Sequence, residues 1–156
     1  MLRVRLKIGS GEIVDTTTLG LVYLSADNRF APDTKGFEST SYVEEEGDHI
    51  MPKTVDAPFD YKVTFFIQAS SLQNANDIIA AFNESLYTQE QDSDVKTFKQ
   101  VEFYNDYKKV KIVGYPSPIS EATEFWRDTS GRTFDIVVVE WNIRVNKPSL
   151  CDFNLT

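Results

Sequence analysis

From Phe59 the odd positions Phe59, Tyr61, Val63, Phe65 and Ile67 are apolar, while Asp60, Lys62, Thr64 and Gln68 hold most of the opposite side. Alternation with a period of two is the pattern of a strand with one buried face, and Phe66 is its one exception. At Ser70 the period changes. Leu72, Ala75, Ile78, Ile79, Phe82 and Leu86 recur at three- and four-residue spacing, as on the buried stripe of an amphipathic helix. Ser70 stands where an N-cap belongs, with Gln73 three residues on to complete a capping box. Asn74, Asp77, Asn83 and Glu84 make the polar side. The pattern predicts one helix over about 71–88, laid on a sheet, with Phe65, Ile79, Phe82 and Trp141 packed against one another.

Elsewhere the chain reads as strands. Leu2, Val4, Leu6 and Ile8 alternate with Arg3, Arg5 and Lys7 and run into a Gly9-Ser10-Gly11 turn. Glu12 to Thr18 and Leu19 to Ser25 are rich in Val, Ile, Thr, Leu and Tyr and predict two strands, or one strand bent at Gly20. Asp27 to Gly36 holds Asn28, Pro32, Asp33 and Gly36 and predicts an exposed loop; Ser39 to Val43 predicts a short strand. Gln89 to Lys96 is polar and acidic, a linker. Phe98 to Tyr104 and Tyr107 to Tyr115 flank Asn105-Asp106 and predict a tight hairpin. Pro116 and Pro118 end its second strand or carry it along an edge. Ser120 to Trp126 is a strand or a helical turn, and Asp128 to Arg132 a turn. Thr133 to Asn146 is the longest apolar strand, with Val137, Val139, Trp141, Ile143 and Val145 on one face. Phe134, Ile136 and Val138 fall on the other, so its first half should be covered on both sides, by the helix on one of them. Pro148 closes it. The fold class expected is therefore α+β, mainly β: antiparallel sheets forming a sandwich or partly open barrel, with one helix packed on a sheet.

Length narrows this to one domain spanning 1–156, because 156 residues at 41% hydrophobic content suffice for one sizeable core and fall short of two. With 24 acidic against 16 basic residues the net charge is -8, which opposes association with nucleic acid. Lys108, Lys109 and Lys111 beside Tyr104 and Tyr107 make a local basic and aromatic cluster, equally typical of a polar strand face. Cys151 is the single cysteine, so no internal disulfide exists and a reducing compartment is expected. Met1 to Ile8 has no continuous apolar run, which argues against a signal peptide and a membrane span.

Candidate chemistry is sparse. Glu44-Glu45-Glu46 followed by Gly47-Asp48-His49 looks like a metal cluster, yet contiguous like charges mark a solvated loop and no second His exists. A Cys/His dyad requires His49 to meet Cys151, and neither lies in a motif that sets a nucleophile against a base. Gly-x-Ser-x-Gly is absent, and Gly9-Ser10-Gly11 is too short for a phosphate loop. The expectation is a protein that is not an enzyme, with no catalytic, cofactor-binding or metal-binding residues and no cofactor.

The stretch Phe59-Asp60-Tyr61-Lys62-Val63-Thr64-Phe65, the helix Leu72 to Leu86, Val101-Glu102-Phe103-Tyr104 running into Lys111-Ile112-Val113-Gly114, and Phe134 to Pro148 together resemble the N-terminal domain of phage distal tail proteins. More loosely they resemble the tail-tube and terminator family. The likeness extends over about two thirds of the chain. It implies a non-enzymatic virion subunit, made in the host bacterial cytoplasm, that closes into a ring, usually of six copies, joining tail tube to tail tip. Its partners are then further copies and other tail proteins, with no membrane and no sequence-specific nucleic acid. Longer members add a carbohydrate-binding-like domain, which is expected to be missing here. The alternative is a small binding module with an apolar ligand under the helix, its pocket lined from the 11 Phe, 7 Tyr and 2 Trp.

Overall fold

The computed structural model describes residues 1–36, 38–41, 48–51, 54–127 and 135–156. In chain order the elements are β1 (Val4–Ile8), β2 (Val14–Asp15), β3 (Val22–Ala26), β4 (Glu38–Ser41), β5 (Asp48–Met51), β6 (Phe59–Ala69), α1 (Leu72–Ser85), β7 (Tyr87–Gln89), β8 (Lys96–Phe98), β9 (Val101–Asn105), β10 (Val110–Pro116), β11 (Ala122–Arg127) and β12 (Asp135–Val145). Every strand pairing is antiparallel. Eight strands form one sheet in the order β2-β1-β9-β10-β12-β6-β3, with β11 also on β12, while β4-β5 and β7-β8 are separate pairs. The fold is mainly antiparallel β with one helix on a sheet, as the periodicity predicts, and the sheet is not closed into a barrel.

The long β6–β12 ladder organises the interior. Val137 stands opposite Ile67, Val139 opposite Phe65, Trp141 opposite Val63, Ile143 opposite Tyr61 and Val145 opposite Phe59, and all ten side chains are buried. Such cross-strand apolar pairs are the stabilising unit of a sheet. Phe103 of β9 lies three strands from β6 in the sheet order, which in a flat sheet is about 14 Å. Its ring centroid is nevertheless 6.4 Å from Phe65 and 6.2 Å from Trp141, so the sheet folds over on itself. The helix closes the resulting wedge. Phe82 meets Trp141 edge-on at 5.3 Å, Ala75 and Leu86 are fully buried, and Ile79 packs at the margin of the same core.

β10 makes the corner. It pairs with β9 from Val110 to Gly114 and then with β12 through Tyr115 and Pro116. A Cβ at Gly114 would lie 2.4 Å from the Arg144 carbonyl oxygen, a separation no side chain tolerates, so glycine is what allows the two backbones to close here. Below the corner the free edge of β10 is taken by the C-terminal tail. Lys111 and Asp152 exchange backbone hydrogen bonds of 2.7 and 2.9 Å, Leu155 N–H donates to the Lys109 carbonyl at 2.9 Å, and Phe153 leans on Phe59.

Several expectations are corrected. The strand expected from Glu12 to Thr18 keeps only Val14 and Asp15, because the Asp15 carboxylate accepts from the Thr17 N–H and hydroxyl and caps a 3-10 turn over Thr16–Leu19. Gly20, at φ +82°, ends that turn, and Ile78 of the helix presses on it. The helix cap is Ser71 rather than Ser70: its hydroxyl accepts from Asn74 N–H at 3.1 Å, and Gln73 bonds Asp77 instead of completing a box. Leu72 is about half exposed, as is Leu2, which precedes β1. The linker expected from Gln89 to Lys96 is, over 90–95, the turn of a small hairpin that β7 makes with β8. The β9–β10 hairpin forms, but across four residues, with the left-handed residue at Lys109 instead of Asn105-Asp106. Ser120 to Trp126 resolves as strand β11. Val43, Glu44 to Gly47, Asp128 to Arg132 and Phe134 lie outside the described residues.

Two substitutions test this packing. Phe82→Ala should cost about 3–5 kcal/mol of unfolding free energy in denaturant titration, and a loss under about 1 kcal/mol would refute the helix-on-sheet interior. Gly114→Ala should cost about 1–3 kcal/mol, since the Arg144 backbone must move; unchanged stability would refute the close corner.

Candidate interaction surfaces

Of the residues that looked chemically interesting in the sequence, Glu44 to Gly47 lie outside the described residues. His49 sits on β5 opposite Thr40, described by its backbone alone. Cys151 is half-buried in the C-terminal tail, where its sulfur accepts from Val113 N–H at 3.4 Å. Burial raises its thiol pKa, against the opposing pull of the Val113 N–H and the Lys111 charge, which makes it a poor nucleophile. No cluster of three or more His, Cys, Asp or Glu among the described residues is arranged to hold a metal ion. No helix among them is long and apolar enough to cross a membrane.

The outer face of β1, β9 and β10 carries the basic cluster. Strand alternation sends Val4, Leu6, Val101, Phe103, Val110 and Ile112 inward, so Arg5, Lys7, Glu102, Tyr104 and Lys111 line the outside. Glu102 takes Lys7 and Lys111 at 3.4 Å each, and Arg5 reaches Asp106 at 3.4 Å and Tyr104 at 5.1 Å to the ring centre. A shallow cavity of about 380 Å³ opens between Lys7, Gly9, Gln100, Glu102, Lys111 and Leu150. These are ordinary half-exposed ion pairs of small net worth, and their contribution is to fix where the charges stand.

The outer face of β6 and β12 carries the Asp60–Arg144 and Lys62–Glu140 ion pairs at one end and is apolar at the other, beside β3. Leu24, Phe66, Ile136 and Val138 line a hollow of about 220 Å³ with Glu124 at its rim, and Leu24 is 53% exposed. Of the strand half expected to be covered on both sides, the helix lies against the inner face, while Ile136 and Val138 look outward and are partly covered among the described residues. A third surface runs beside the helix, where a groove of about 550 Å³ is lined by Thr17, Leu19 and Gly20 on one side and Asp77, Ile78 and Ala81 on the other, closed at its floor where Ile78 meets Gly20.

Three polar groups escaped the sequence reading. Asn83, assigned to the solvent side of the helix, clamps the loop before β11: its side chain accepts from Ile119 N–H and donates to the Ile119 carbonyl, both at 2.8 Å. Asn105 is fully buried; its carbonyl accepts from Tyr107 and Lys108 N–H, and its amide donates to the Tyr23 hydroxyl. The Tyr61 hydroxyl faces this group yet lacks hydrogen-bond geometry to any partner among the described residues. Burial drives its pKa far up, the Asn105 side chain opposes slightly, and Tyr23 and Asp27 add to the rise. An asparagine in a helix or beside a turn reads as surface, and only the tertiary fold distinguishes these two.

No protein-family model matches this chain, and no curated protein matches it significantly.

The buried Tyr61 and half-buried Cys151 dictate a pH dependence. Both have folded-state pKa values above their ordinary ones, so the unfolded chain releases protons near pH 9 and 10 while the folded chain retains them. Stability should hold below pH 9 and decline as the pH rises through that range. Tyr61→Phe, which also removes an unpartnered hydroxyl, should be near neutral at pH 7 and flatten the decline above pH 10 in denaturant titrations. An equal alkaline loss in the variant would refute this account.

Proposed function

We propose that this chain is a structural subunit of a phage or prophage tail, distal-tail-like, that closes into a ring joining the tail tube to the tail tip. In this reading it is not an enzyme and needs no cofactor; it is made in the host bacterial cytoplasm and acts in the virion, against further copies of itself and other tail proteins. The observation that supports it best is the order of elements: long strand, helix, hairpin and long final strand, in the segments that resemble the tail family. The surfaces agree with assembly. β3 and β11 each have one strand partner among the described residues, leaving backbone edges of the kind a neighbour extends, and the outward Leu24–Phe66–Ile136–Val138 hollow lies between them. The alternative, an apolar ligand beneath the helix, is disfavoured because Phe82 already fills that space against Trp141.

Electron microscopy and sedimentation of concentrated protein, alone and mixed with the adjoining tail-tube protein, test the proposal. Rings or tube-bound particles are the expected result. A monomer that neither closes nor binds the tube would overturn it.

A further inference from the structure

The chain's charge is segregated, and the fold turns that segregation into two surfaces. Residues 1–11 and 99–111 hold seven Lys and Arg against two carboxylates, and the β1–β9–β10 register gathers both segments. Both carboxylates are already taken, Glu102 by Lys7 and Lys111 and Asp106 by Arg5. Exposed Arg3, Lys99 and Lys109 remain around that array without an ion pair among the described residues; Asp15 and Asp152 flank it. Residues 63–95 are the reverse: no Lys or Arg, and five carboxylates, Asp77, Glu84, Glu90, Asp92 and Asp94. Asp77 and Glu84 stand two turns apart on the exposed side of α1, and the other three sit in the β7–β8 turn that follows it directly. All five are exposed, and none carries an ion pair among the described residues.

We infer that the basic face of one copy docks on the helix-and-hairpin face of the next, giving a heterologous contact between copies of this chain. This rests on the proposed self-association and names the surfaces that carry it. The occupant is a second copy because the complement is already encoded: the cations Arg3, Lys99 and Lys109, left over on one surface, meet five carboxylates on the other, in a molecule whose net charge of -8 otherwise drives copies apart. Two different patches on each copy make a head-to-tail contact, the kind that propagates until the rotation closes a ring. A symmetric pairing of either face with itself would set like charges together.

Two variants with opposite reversals test it, Arg3→Glu/Lys99→Glu/Lys109→Glu and Asp77→Lys/Glu84→Lys/Asp94→Lys, all at exposed positions outside the core. The wild type should self-associate in low salt and loosen as salt rises. Each folded variant alone should associate on the order of tenfold or more weakly, because like charges then face each other. Their equimolar mixture should regain wild-type assembly, since every face again meets one of opposite sign. Should either variant misfold by circular dichroism, the neutral set Arg3→Gln/Lys99→Gln/Lys109→Gln replaces it, with the same direction of effect and a shallower salt dependence. Variants that assemble as the wild type does, or a mixture that stays apart, would overturn the face assignment while leaving self-association standing. A wild type that remains monomeric in low salt would overturn the inference, and tube binding would then decide separately whether the tail reading survives.

Discussion

The structure depends on one aromatic contact set, Phe65, Phe82, Phe103 and Trp141, because these rings tie the β6–β12 ladder to the helix and to β9, which that ladder does not otherwise reach. Trp141 touches the other three, with centroids 5.3 to 6.2 Å away. Phe65 supplies the central strand, Phe103 the far half of the sheet and Phe82 the helix. Edge-to-face pairs at this spacing add to plain area burial because ring faces and edges carry opposite partial charge. Removing the set leaves a sheet with no reason to fold and a helix with nothing to cover. The Trp141 indole N–H is buried without a hydrogen-bond partner among the described residues, so the ring is kept there by shape and area in spite of a polar cost.

A folded sheet needs a corner, and the corner constrains the chain as tightly as the core does. β10 serves β9 along most of its length and β12 at its end, so its backbone passes close beneath Arg144 at Gly114. Leaving β9 for β12 would strand the outer edge of β10 near Lys111. The C-terminal tail resolves this by pairing there and tucking Cys151 against Val113, which meets the requirement that backbone groups near the core find partners. The lone cysteine is thus explained by packing, and its raised pKa follows from the same burial.

Periodicity made the interior legible. Strands β6 and β12 and the helix announce themselves because each buries one face along its whole length, and a run of five or six alternating residues has few other readings. What was illegible depended on side chains bonding to backbone. Asp15 diverts a β-rich stretch into a 3-10 turn through two local hydrogen bonds, and Ser71 displaces Ser70 as cap by a one-residue difference that two adjacent serines cannot signal. Asn83 and Asn105 carry the same amide in sequence and opposite fates from solvent in the fold. The partners that settle them, Ile119 and Tyr23, stand 36 and 82 residues away.

The surfaces were hardest to foresee, and the reason is geometric. Arg3, Lys7, Lys99 and Lys111 are an unremarkable scatter along the chain; they become one face only because β1 and β9 pair with Lys7 opposite Glu102 and Arg5 opposite Tyr104. In a sheet the side-chain period is two, so slipping β9 by one residue would send Glu102 and Tyr104 inward and Phe103 to solvent. Phe103 cannot leave, because Tyr61, Phe65 and Trp141 all hold its ring. The apolar cluster therefore sets more than stability: by locking the register it determines which charges stand together outside. For a protein read as working through its surface, the core is the element that writes the interface.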